Sequence, residues 1–524
     1  MTPRTQSLNK RVGVASVIMM SSVLASRLIG VFREAVIAYI GGAGAEVDAY
    51  QVAFIVPEIL NHFVASGFLS VTFIPIFAVY LSRNREDDGW RIFSVIYTCF
   101  GSLLLIVSLL SFIFAPWLID LVAHGRTDPE FKALAVKMTR IIIPAQFFFF
   151  SGGLFMAIQF AKERFSVPAV APILYNLGII AGGALLGPWL GMEGFSWGVL
   201  GGAFLGNFAV QLWAARRVGL KFRITFDFNH PDFKKYILLT LPLMVGLTMM
   251  FSMEIFMRFF GSYLPPGNIA ALNYGRTIFL IPVGLFGQAV GAASFPFMAR
   301  LYAENNMQEM NRLMNDTLRY LALVIPFSVL LMVLRYEVVL VLFQRGQFDA
   351  SATALTARVL IFLLPGAFAL SAYTVVVRGF HAMQNTLFPA VFGTAAVVLS
   401  LPLYWYGMKL LGAGGIALAV AFSVIFQVVV LYMIWNKRSG NTGSHRVYLF
   451  YGKIILISIP IGLVLAGLKA ALFSDAWLAT FSGSMFVCVI AAIAFLAMLL
   501  AAGYLLGIKE IADLGRRLAR RLSS

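Results

Sequence analysis

Long runs of apolar residues, separated by short polar stretches, recur along the whole chain. Runs of roughly 18 to 25 residues are long enough to cross a hydrocarbon core of about 30 Å as helices. The pattern therefore predicts an all-α polytopic membrane protein of about fourteen transmembrane helices. We place these helices near residues 12–40, 47–80, 91–122, 131–161, 166–189, 194–215, 234–262, 269–300, 316–343, 353–380, 386–409, 412–436, 447–472 and 480–507.

Basic residues gather in every second loop. One side carries the clusters at residues 4–11, 216–235 and 516–521, while the other side holds only Arg126, Lys132, Arg335, Arg345 and Lys409. Because cytoplasmic loops carry an excess of Lys and Arg, this alternation predicts an even number of crossings with both termini in the cytoplasm. We expect the last basic cluster to anchor helix 14 rather than to form a separate surface helix.

Four landmarks recur at a constant spacing of 221 residues, each within similar flanking sequence. They pair as Pro75 with Pro296, Gly125 with Gly346, Pro144 with Pro365 and Pro168 with Pro389. The interval contains six predicted helices and returns the chain to its starting side, so the halves are parallel repeats. Such halves typically enclose a site near the bilayer midplane and open it to alternate sides. The repeat predicts an N-terminal lobe at 1–218, a C-terminal lobe at 219–440, and helices 13 and 14 with a basic tail at 441–524.

Composition indicates the same class of protein. Of 524 residues, 60% are hydrophobic and 12% are charged, whereas ordinary soluble domains carry about 25% charged residues. A formal charge of +17 would suggest a nucleic-acid partner for a soluble protein, but here the orienting loops account for it. Cys99 and Cys488, both in apolar runs, provide neither a disulfide framework nor a cluster of metal ligands.

Several arginines lie inside predicted transmembrane helices, where each costs at least about 2.5–3.5 kcal/mol on insertion scales. Arg27 lies about 24 Å into helix 1 when counted from Arg11 at 1.5 Å per residue. Arg33 lies further along helix 1, and Arg276 lies about 10 Å into helix 8. A role in a polar cavity is the favoured interpretation, against snorkelling or an internal salt bridge. For Arg33 the neighbouring Glu34 is an equally good explanation.

Other charged residues admit simpler explanations. Arg258 follows Glu254 by one helical turn, so a structural pair is the favoured interpretation. Arg258 is nevertheless kept among the candidate substrate-binding residues. Asp48 begins helix 2, where a carboxylate stabilises the helix dipole. Glu58 and Asn61 form a polar cluster after Pro57, which serves ions or protons or simply pairs with an arginine; the sequence does not decide between these.

Intramembrane arginines with few local counter-charges suit an anionic substrate, because the guanidinium group matches phosphate oxygens in two places. A phosphate-bearing lipid and an anionic solute fit equally well. The chain has no GxxxxGK[ST] phosphate loop and no arrangement of nucleophile and base. We therefore expect a transporter without a cofactor, driven by the membrane potential or a cation gradient, rather than an enzyme.

Specific stretches of the chain resemble a known family. The stretches ASRLIGVFREAVIAYIGGAGAEVDAYQVAFIVPEIL, RFSVPAVAPILYNLGII, PPGNIAALNYGR and VLFQRGQFDASATALTA are similar to the MurJ/MviN family of the multidrug/oligosaccharidyl-lipid/polysaccharide exporters. The resemblance implies two six-helix lobes plus helices 13 and 14 in a bacterial inner membrane. It also implies a flippase for lipid II, the undecaprenyl-diphosphate-linked precursor of peptidoglycan in cell wall biogenesis. A cationic cavity would receive the head, and a groove at the last two helices would receive the polyprenyl tail.

The resemblance also implies site residues. Matching positions are Ser26, Arg27, Arg33, Asp48 and Arg276. The chain departs from the family pattern at five places where the resemblance implies charged side chains. Glu34 stands in place of Asp, and Ile55 and Asn61 stand in place of Lys and Arg. Met257 and Gly275 stand in place of acidic residues.

These departures imply a less basic cavity with fewer carboxylate partners. Export of another polyprenyl-diphosphate-linked glycan or of an amphipathic drug is therefore the alternative to lipid II. A non-transporting scaffold for wall assembly is the alternative from a different class. A membrane-bound transferase would need clustered carboxylates or histidines in its loops, and these are not evident.

Overall fold

The computed structural model describes residues 3–62, 68–248, 252–385, 387–508 and 510–511. The predicted basic tail at 516–521 lies outside these residues. The contacts divide the chain into two compact units, residues 1–270 and 271–524. Throughout the described ranges the secondary structure is helical, without strands.

The first unit contains the helices α1 (Pro3–Gly41), α2 (Ala45–Ala53), α3 (Ile55–Leu60), α4 (Phe68–Ser82), α5 (Glu86–Ile113), α6 (Ala115–Val122), α7 (Pro129–Ile142), α8 (Ala145–Ala161), α9 (Ser166–Leu190), α10 (Glu193–Gly202), α11 (Val210–Arg217), α12 (Pro231–Thr248) and α13 (Ser252–Gly261). Helix α14 (Asn268–Pro282) contains the boundary between the units.

The second unit continues with α15 (Ala289–Ala303), α16 (Met307–Leu321), α17 (Val324–Val333), α18 (Arg335–Phe343), α19 (Ala350–Leu363), α20 (Ala367–Ala382), α21 (Leu387–Leu411), α22 (Ala413–Ser439), α23 (Ser444–Leu472), α24 (Asp475–Leu478) and α25 (Phe481–Leu505). Short π-helical segments follow α10 and α14.

Eleven helical segments of the described chain are long and apolar enough to cross a membrane. They correspond to predicted helices 3–6 and 8–14. The positions predicted for helix 1, helix 2 and helix 7 hold α1, then α2, α3 and α4, and then α12 and α13. The multi-span helical class is therefore confirmed, while the total of fourteen and the orientation of the termini stay predictions.

The backbone repeats itself at the interval found in the sequence. Helix α21 ends 221 residues after α9, and α15 ends 221 residues after α4. Turn residues with positive φ recur at the same spacing, as Asn84 and Asn305, Glu163 and Gln384, Gly191 and Gly412, and Gly219 and Gly440. The repeat is thus a property of the backbone as well as of the sequence. The predicted lobe boundaries stay a prediction, because units defined by contacts and units defined by repetition need not coincide.

Two helix starts show the same register in their caps. Asp128 accepts a hydrogen bond from the Glu130 N–H before α7, and Asp349 accepts one from the Ala352 N–H before α19. A side-chain oxygen at this position satisfies a backbone donor that the helix itself cannot satisfy. The N–H of Ala352 and the hydroxyl of Ser351 lower the pKa of Asp349, because both donate to its carboxylate.

Proline residues break the predicted helices 4 and 10 at equivalent places. Pro144 separates α7 from α8, and Pro365 separates α19 from α20. Proline lacks an N–H and crowds the preceding turn, so the series of helical hydrogen bonds stops there.

A further break at Phe114 leaves carbonyl groups at the end of α5, and Arg140 Nε donates to the Phe112 carbonyl at 3.0 Å. Arg140 of α7 therefore stabilises a helix end.

Glycines allow α9 and α10 to pack closely. A Cβ added at Gly178 would lie 2.4 Å from the Cα of Gly202, and one added at Gly182 would lie 2.3 Å from the Cα of Gly198. Small residues spaced four apart let two membrane helices approach closely enough for backbone contact. The close packing of α9 and α10 therefore depends on glycines, whose effect an averaged hydropathy does not show.

The last two long helices pack within the second unit. Helix α23 contacts α16 and α17, and α25 contacts α18 and α23. Lys469 of α23 donates to Glu337 of α18 at 2.8 Å and to the carbonyl of Val333 at 3.1 Å, just before the break between α17 and α18. Glu337 is 2% exposed. A buried ion pair therefore attaches predicted helix 13 to the body of the unit.

Candidate functional site

A polar cluster lies between α1 and α9. Arg33 donates to Glu34 Oε1 at 2.6 Å and to Asn176 Oδ1 at 2.9 Å. The Asn176 amide donates to Ser26 Oγ at 3.3 Å. The Nε of Arg33 is buried and has no hydrogen-bond partner within the described ranges. The fold thus brings Ser26, Arg33 and Glu34 together, and the ion pair proposed for Arg33 is present.

Arg27 occupies a different face of α1. Its side chain is exposed, as are those of Leu24, one turn earlier, and of the adjacent Leu28. Arg27 precedes Arg33 by six residues, which places the two side chains about 120° apart around a regular helix. The arginines predicted to share one cavity therefore leave α1 in two directions.

Arg258 forms its main ion pair with a distant carboxylate. It donates to both oxygens of Glu58, at 2.5 and 3.3 Å, across 200 residues of sequence. Glu254, the partner expected from helical spacing, lies 3.8 Å away. A structural pair is therefore present, but the main partner of Arg258 is Glu58 and not the expected Glu254. The same contact gives the carboxylate of Glu58 an arginine partner, one of the alternatives that the sequence left open.

Asp48 lies in the first turn of α2, as predicted, but its carboxylate is directed to another helix. Its two oxygens accept the N–H groups of Gly267 and Ala270, each at 2.8 Å, at the start of α14. Arg126 donates to the same carboxylate at 3.0 Å. Gly267 has φ +89°, and a Cβ there would lie 2.2 Å from the carbonyl oxygen of Ala43. The fully buried Asp48 therefore stabilises the N-terminus of α14 rather than only its own helix.

Arg276 is half-buried on α14. The preceding Gly275 packs against α19, where an added Cβ would lie 2.9 Å from Val359 Cγ1. Tyr274 is fully buried, with its ring 5.3 Å from that of Phe348. At position 275, α14 and α19 are therefore so close that a side chain larger than that of glycine, such as an acidic one, would be crowded.

The other departures from the family pattern also have definite places. Ile55 is fully buried in the short helix α3, and Met257 is 3% exposed in α13. Asn61 is half-buried at the end of α3, where its backbone N–H bonds to the carbonyls of Glu58 and Pro57. The two apolar side chains serve packing, since neither is open to a polar space.

Two residues of these clusters escaped the sequence analysis. Asn176 links Ser26 and Arg33, and Arg126, assigned only to a loop, pairs with Asp48. An asparagine within the apolar run of predicted helix 5 was the available signal for the first. Nothing in the sequence near Arg126 indicates its partner, because Asp48 lies 78 residues away.

The arginines of the site offer hydrogen-bond donors of the kind that suit an anionic ligand. Within the described ranges no three His, Cys, Asp or Glu residues come together as potential metal ligands. Arg258 already gives two donors to Glu58, whereas Arg33 retains a buried Nε donor. Guanidinium groups with remaining donors are suited to bind phosphate oxygens.

Comparisons with known proteins agree on one family. The sequence profile of the family described as Lipid II flippase MurJ matches residues 37–505. The chain is 26% identical over 453 residues to the Lipid II flippase MurJ of Burkholderia cenocepacia, covering 85% of this chain and 87% of that protein. It is 28% identical over 432 residues to the Probable lipid II flippase MurJ of Rhizobium tropici, covering 79% of each.

Solved structures show the same fold. A structure described as Lipid II flippase MurJ in an inward closed conformation has a TM-score of 0.77 at 23% identity, covering 94% of this chain and 99% of that one. An inward-facing multidrug resistance MATE family transporter of the MOP superfamily has a TM-score of 0.67 at 14% identity, covering 79% and 94%. The family match includes Asp48, Glu58, Arg258 and Arg276 but begins after Arg33.

Proposed function

This chain belongs to the Lipid II flippase MurJ family, and we propose on that premise that it moves lipid II from the cytoplasmic to the periplasmic leaflet. The observation that carries the proposal is the family match over residues 37–505. The chain is a multi-span membrane protein and a transporter rather than an enzyme. Supply of lipid II to the outer leaflet would serve peptidoglycan synthesis and so cell shape.

The proposed binding residues are cationic side chains with a polar neighbour. Arg27, Arg33 and Arg276 would bind the diphosphate, and Ser26 would hydrogen-bond to the head. The buried Nε of Arg33 supports this assignment, because it is a donor without an acceptor among the described residues. We assign Arg258 and Asp48 to holding the fold, since each is committed to buried partners. Glu34, Glu58 and Glu254 then balance the charge of their arginines.

The transport cycle follows from the repeat. Parallel repeats of this kind act by alternating access, with rocking or gating movements. We propose that the membrane potential or a cation gradient drives the cycle and that no cofactor takes part. The protein would lie in the bacterial inner membrane with both termini in the cytoplasm. The exposed apolar side chains of α25, among them Phe486, Val489 and Ile493, suit contact with a polyprenyl tail.

A complementation experiment tests the function and the site together. The chain is expressed in cells depleted of their own lipid II flippase, where we expect it to restore wall synthesis. Arg27→Ala should abolish the rescue. Arg27→Lys should retain part of it, because lysine keeps the positive charge but cannot form the bidentate hydrogen bonds of a guanidinium group. Arg312→Ala is the matched control, since Arg312 is exposed on α16 and its contact with Glu309 spans 3.7 Å. A folded, membrane-inserted wild-type chain that fails to rescue would contradict the proposal.

The buried Ile55 and Met257 support a second candidate, the export of a different polyprenyl-diphosphate-linked glycan, because the site has fewer charges than the resemblance implies. Purified protein in vesicles distinguishes the two. Flipping of lipid II supports the first proposal, whereas flipping only of an undecaprenyl-diphosphate lipid with another sugar supports the second.

A further inference from the structure

The segment between α11 and α12 has an unusual exposed face. Residues 220–227 belong to neither a helix nor a strand. Every second residue from 222 to 228 is a large apolar one, and Phe222, Ile224, Phe226 and Phe228 are 44%, 77%, 58% and 62% exposed. We call residues 220–228 the linker strip. Four large apolar side chains in one row are more than the scattered apolar residues of an ordinary solvent-facing loop.

The linker strip is held in place along α5. The Arg223 N–H donates to Ser94 Oγ at 3.1 Å, and the Thr225 N–H donates to Thr98 Oγ1 at 3.3 Å. Ser94 and Thr98 lie one helical turn apart, so two backbone positions of the strip are tied to one face of α5. These bonds hold the backbone of the strip against the helix.

Ion pairs hold the strip at both ends. Lys221 pairs with Asp87 at 2.5 Å, and Asp227 pairs with Arg91 at 3.3 Å. The two partners on α5, Asp87 and Arg91, both lie in the first two turns of that helix, before its apolar run begins. Both ends of the strip are therefore paired near the charged start of α5, while its middle lies beside Ser94 and Thr98 further along the helix.

The surroundings indicate lipid as the partner of the exposed face. Further along α5 the exposed surface continues with Leu103, Leu105 and Ile106. Before the strip, Trp213 of α11 is half exposed, and the Arg217 guanidinium carbon lies 3.9 Å from its ring centre. Tryptophan with an adjacent basic residue is typical of the boundary between membrane and water. The apolar row thus begins at that boundary and joins a surface that already faces lipid.

Basic residues accompany the apolar row. Arg223, Lys234 and Lys235 are exposed, and no acidic partner for them is recorded within the described ranges. They belong to the loop that the charge distribution predicts to be cytoplasmic, and the cytoplasmic leaflet carries anionic lipid. A row of apolar side chains flanked by basic ones is the combination that binds such a surface.

We propose that the linker strip is an interfacial membrane anchor, which inserts Phe222, Ile224, Phe226 and Phe228 among the acyl chains and binds anionic phospholipid headgroups through Arg223, Lys234 and Lys235. This inference concerns a surface other than the proposed substrate site. It therefore stands or falls independently of the transported lipid.

Site-directed spin labelling tests the insertion. The two cysteines are first replaced by Cys99→Ser and Cys488→Ser, and a nitroxide is attached at Phe226→Cys in the full chain reconstituted into phospholipid vesicles. Asn229→Cys is the matched control, because Asn229 is an exposed polar residue just after the strip. We expect the label at 226 to be accessible to oxygen and shielded from a water-soluble nickel reagent, with the reverse at 229. Equal access of the nickel reagent to both labels would overturn the proposal.

Lipid composition tests the headgroup contact. Vesicles of phosphatidylcholine are compared with vesicles that also contain phosphatidylglycerol, and the immersed fraction of the label at 226 is measured. We expect anionic lipid to favour the immersed state by about fivefold for each basic residue. The triple variant Arg223→Gln, Lys234→Gln, Lys235→Gln should lose this response while its helix content is unchanged. An unaltered response in the variant, or none in the unsubstituted strip, would refute headgroup binding. A strip shielded only when cytoplasmic proteins are added would instead identify a protein-docking surface.

Discussion

The ion pair between Glu58 and Arg258 decides whether Arg258 is a structural residue or a ligand for an anionic substrate. The double contact at 2.5 and 3.3 Å joins α3 to α13, and the side chains of Arg258 and Glu58 are 10% and 27% exposed. Removing one member of such a pair leaves an uncompensated charge in a largely apolar setting. We therefore expect both Arg258→Met and Glu58→Gln to destabilise the fold.

The burial of the two side chains determines the size of the effect. Breaking a buried pair costs about 3–5 kcal/mol. The partial exposure of Glu58 places Arg258→Met near the lower end, at about 3 kcal/mol. Glu58→Gln removes its own charge and leaves the deeply buried guanidinium, so its cost should be similar. The double variant should recover most of the loss, because neither charge then remains unpaired.

An exposed pair with similar geometry provides the control. Arg300 and Glu304 approach to 2.7 Å, but their side chains are 78% and 49% exposed. The same double-mutant cycle there should give a far smaller coupling, because water and salt screen the charges of an exposed pair. The free energy of unfolding is measured for each variant in mixed micelles by denaturant titration, followed by the loss of helical circular dichroism. Equal coupling in the two pairs would refute the argument from burial.

The exchanged pair Glu58→Arg with Arg258→Glu separates structure from transport. If Arg258 only completes the pair, the exchange should restore both the stability and the rescue of flippase-depleted cells. If Arg258 binds the anionic head, stability should return without transport. The second result would show that our assignment of Arg258 to the fold is wrong.

Three further predictions address the second unit through unfolding free energies. Gly275→Asp should cost about 1–3 kcal/mol by overpacking against Val359, and Val359→Ala should relieve much of it; no loss would contradict the close contact. Lys469→Met should cost about 3–5 kcal/mol by leaving Glu337 unpaired, with recovery on adding Glu337→Gln; an additive loss would refute the pair. Asp349→Ala should cost about 1 kcal/mol near neutral pH. Because the folded-state pKa of Asp349 is depressed, its contribution exists above the unfolded pKa and disappears as pH falls through the folded value. A difference from wild type that persists at about pH 2 would contradict this linkage.

The sequence by itself determined the class of protein and much of its layout. The predicted helices at 166–189 and 447–472 became α9 at Ser166–Leu190 and α23 at Ser444–Leu472. Proline landmarks gave the 221-residue register that the turns later repeated. These features are readable because hydropathy, proline and glycine act within a few residues along the chain.

Local partners were also within reach of the sequence. Glu34 follows Arg33 directly, and Glu254 precedes Arg258 by one helical turn, so their proximity depends only on local geometry. Helix 2 was harder: Pro57 indicated a local weakness, but residues 47–80 were still predicted as one helix, and the structure breaks it at Phe54 between α2 and α3. Hydropathy reports how apolar a stretch is, and it does not report whether the helix runs through it unbroken.

Only the tertiary structure decided which charged groups meet. Arg258 reaches Glu58 across 200 residues, and Arg33 reaches Asn176 across 143. It also showed that Arg27 and Arg33 leave α1 on different faces, although both were assigned to one cavity from the same stretch of sequence. An intramembrane charge must find a partner or a polar space, and the sequence states that need. Which residue meets it depends on the helix faces that packing brings together, and packing is settled over the whole unit rather than along the chain.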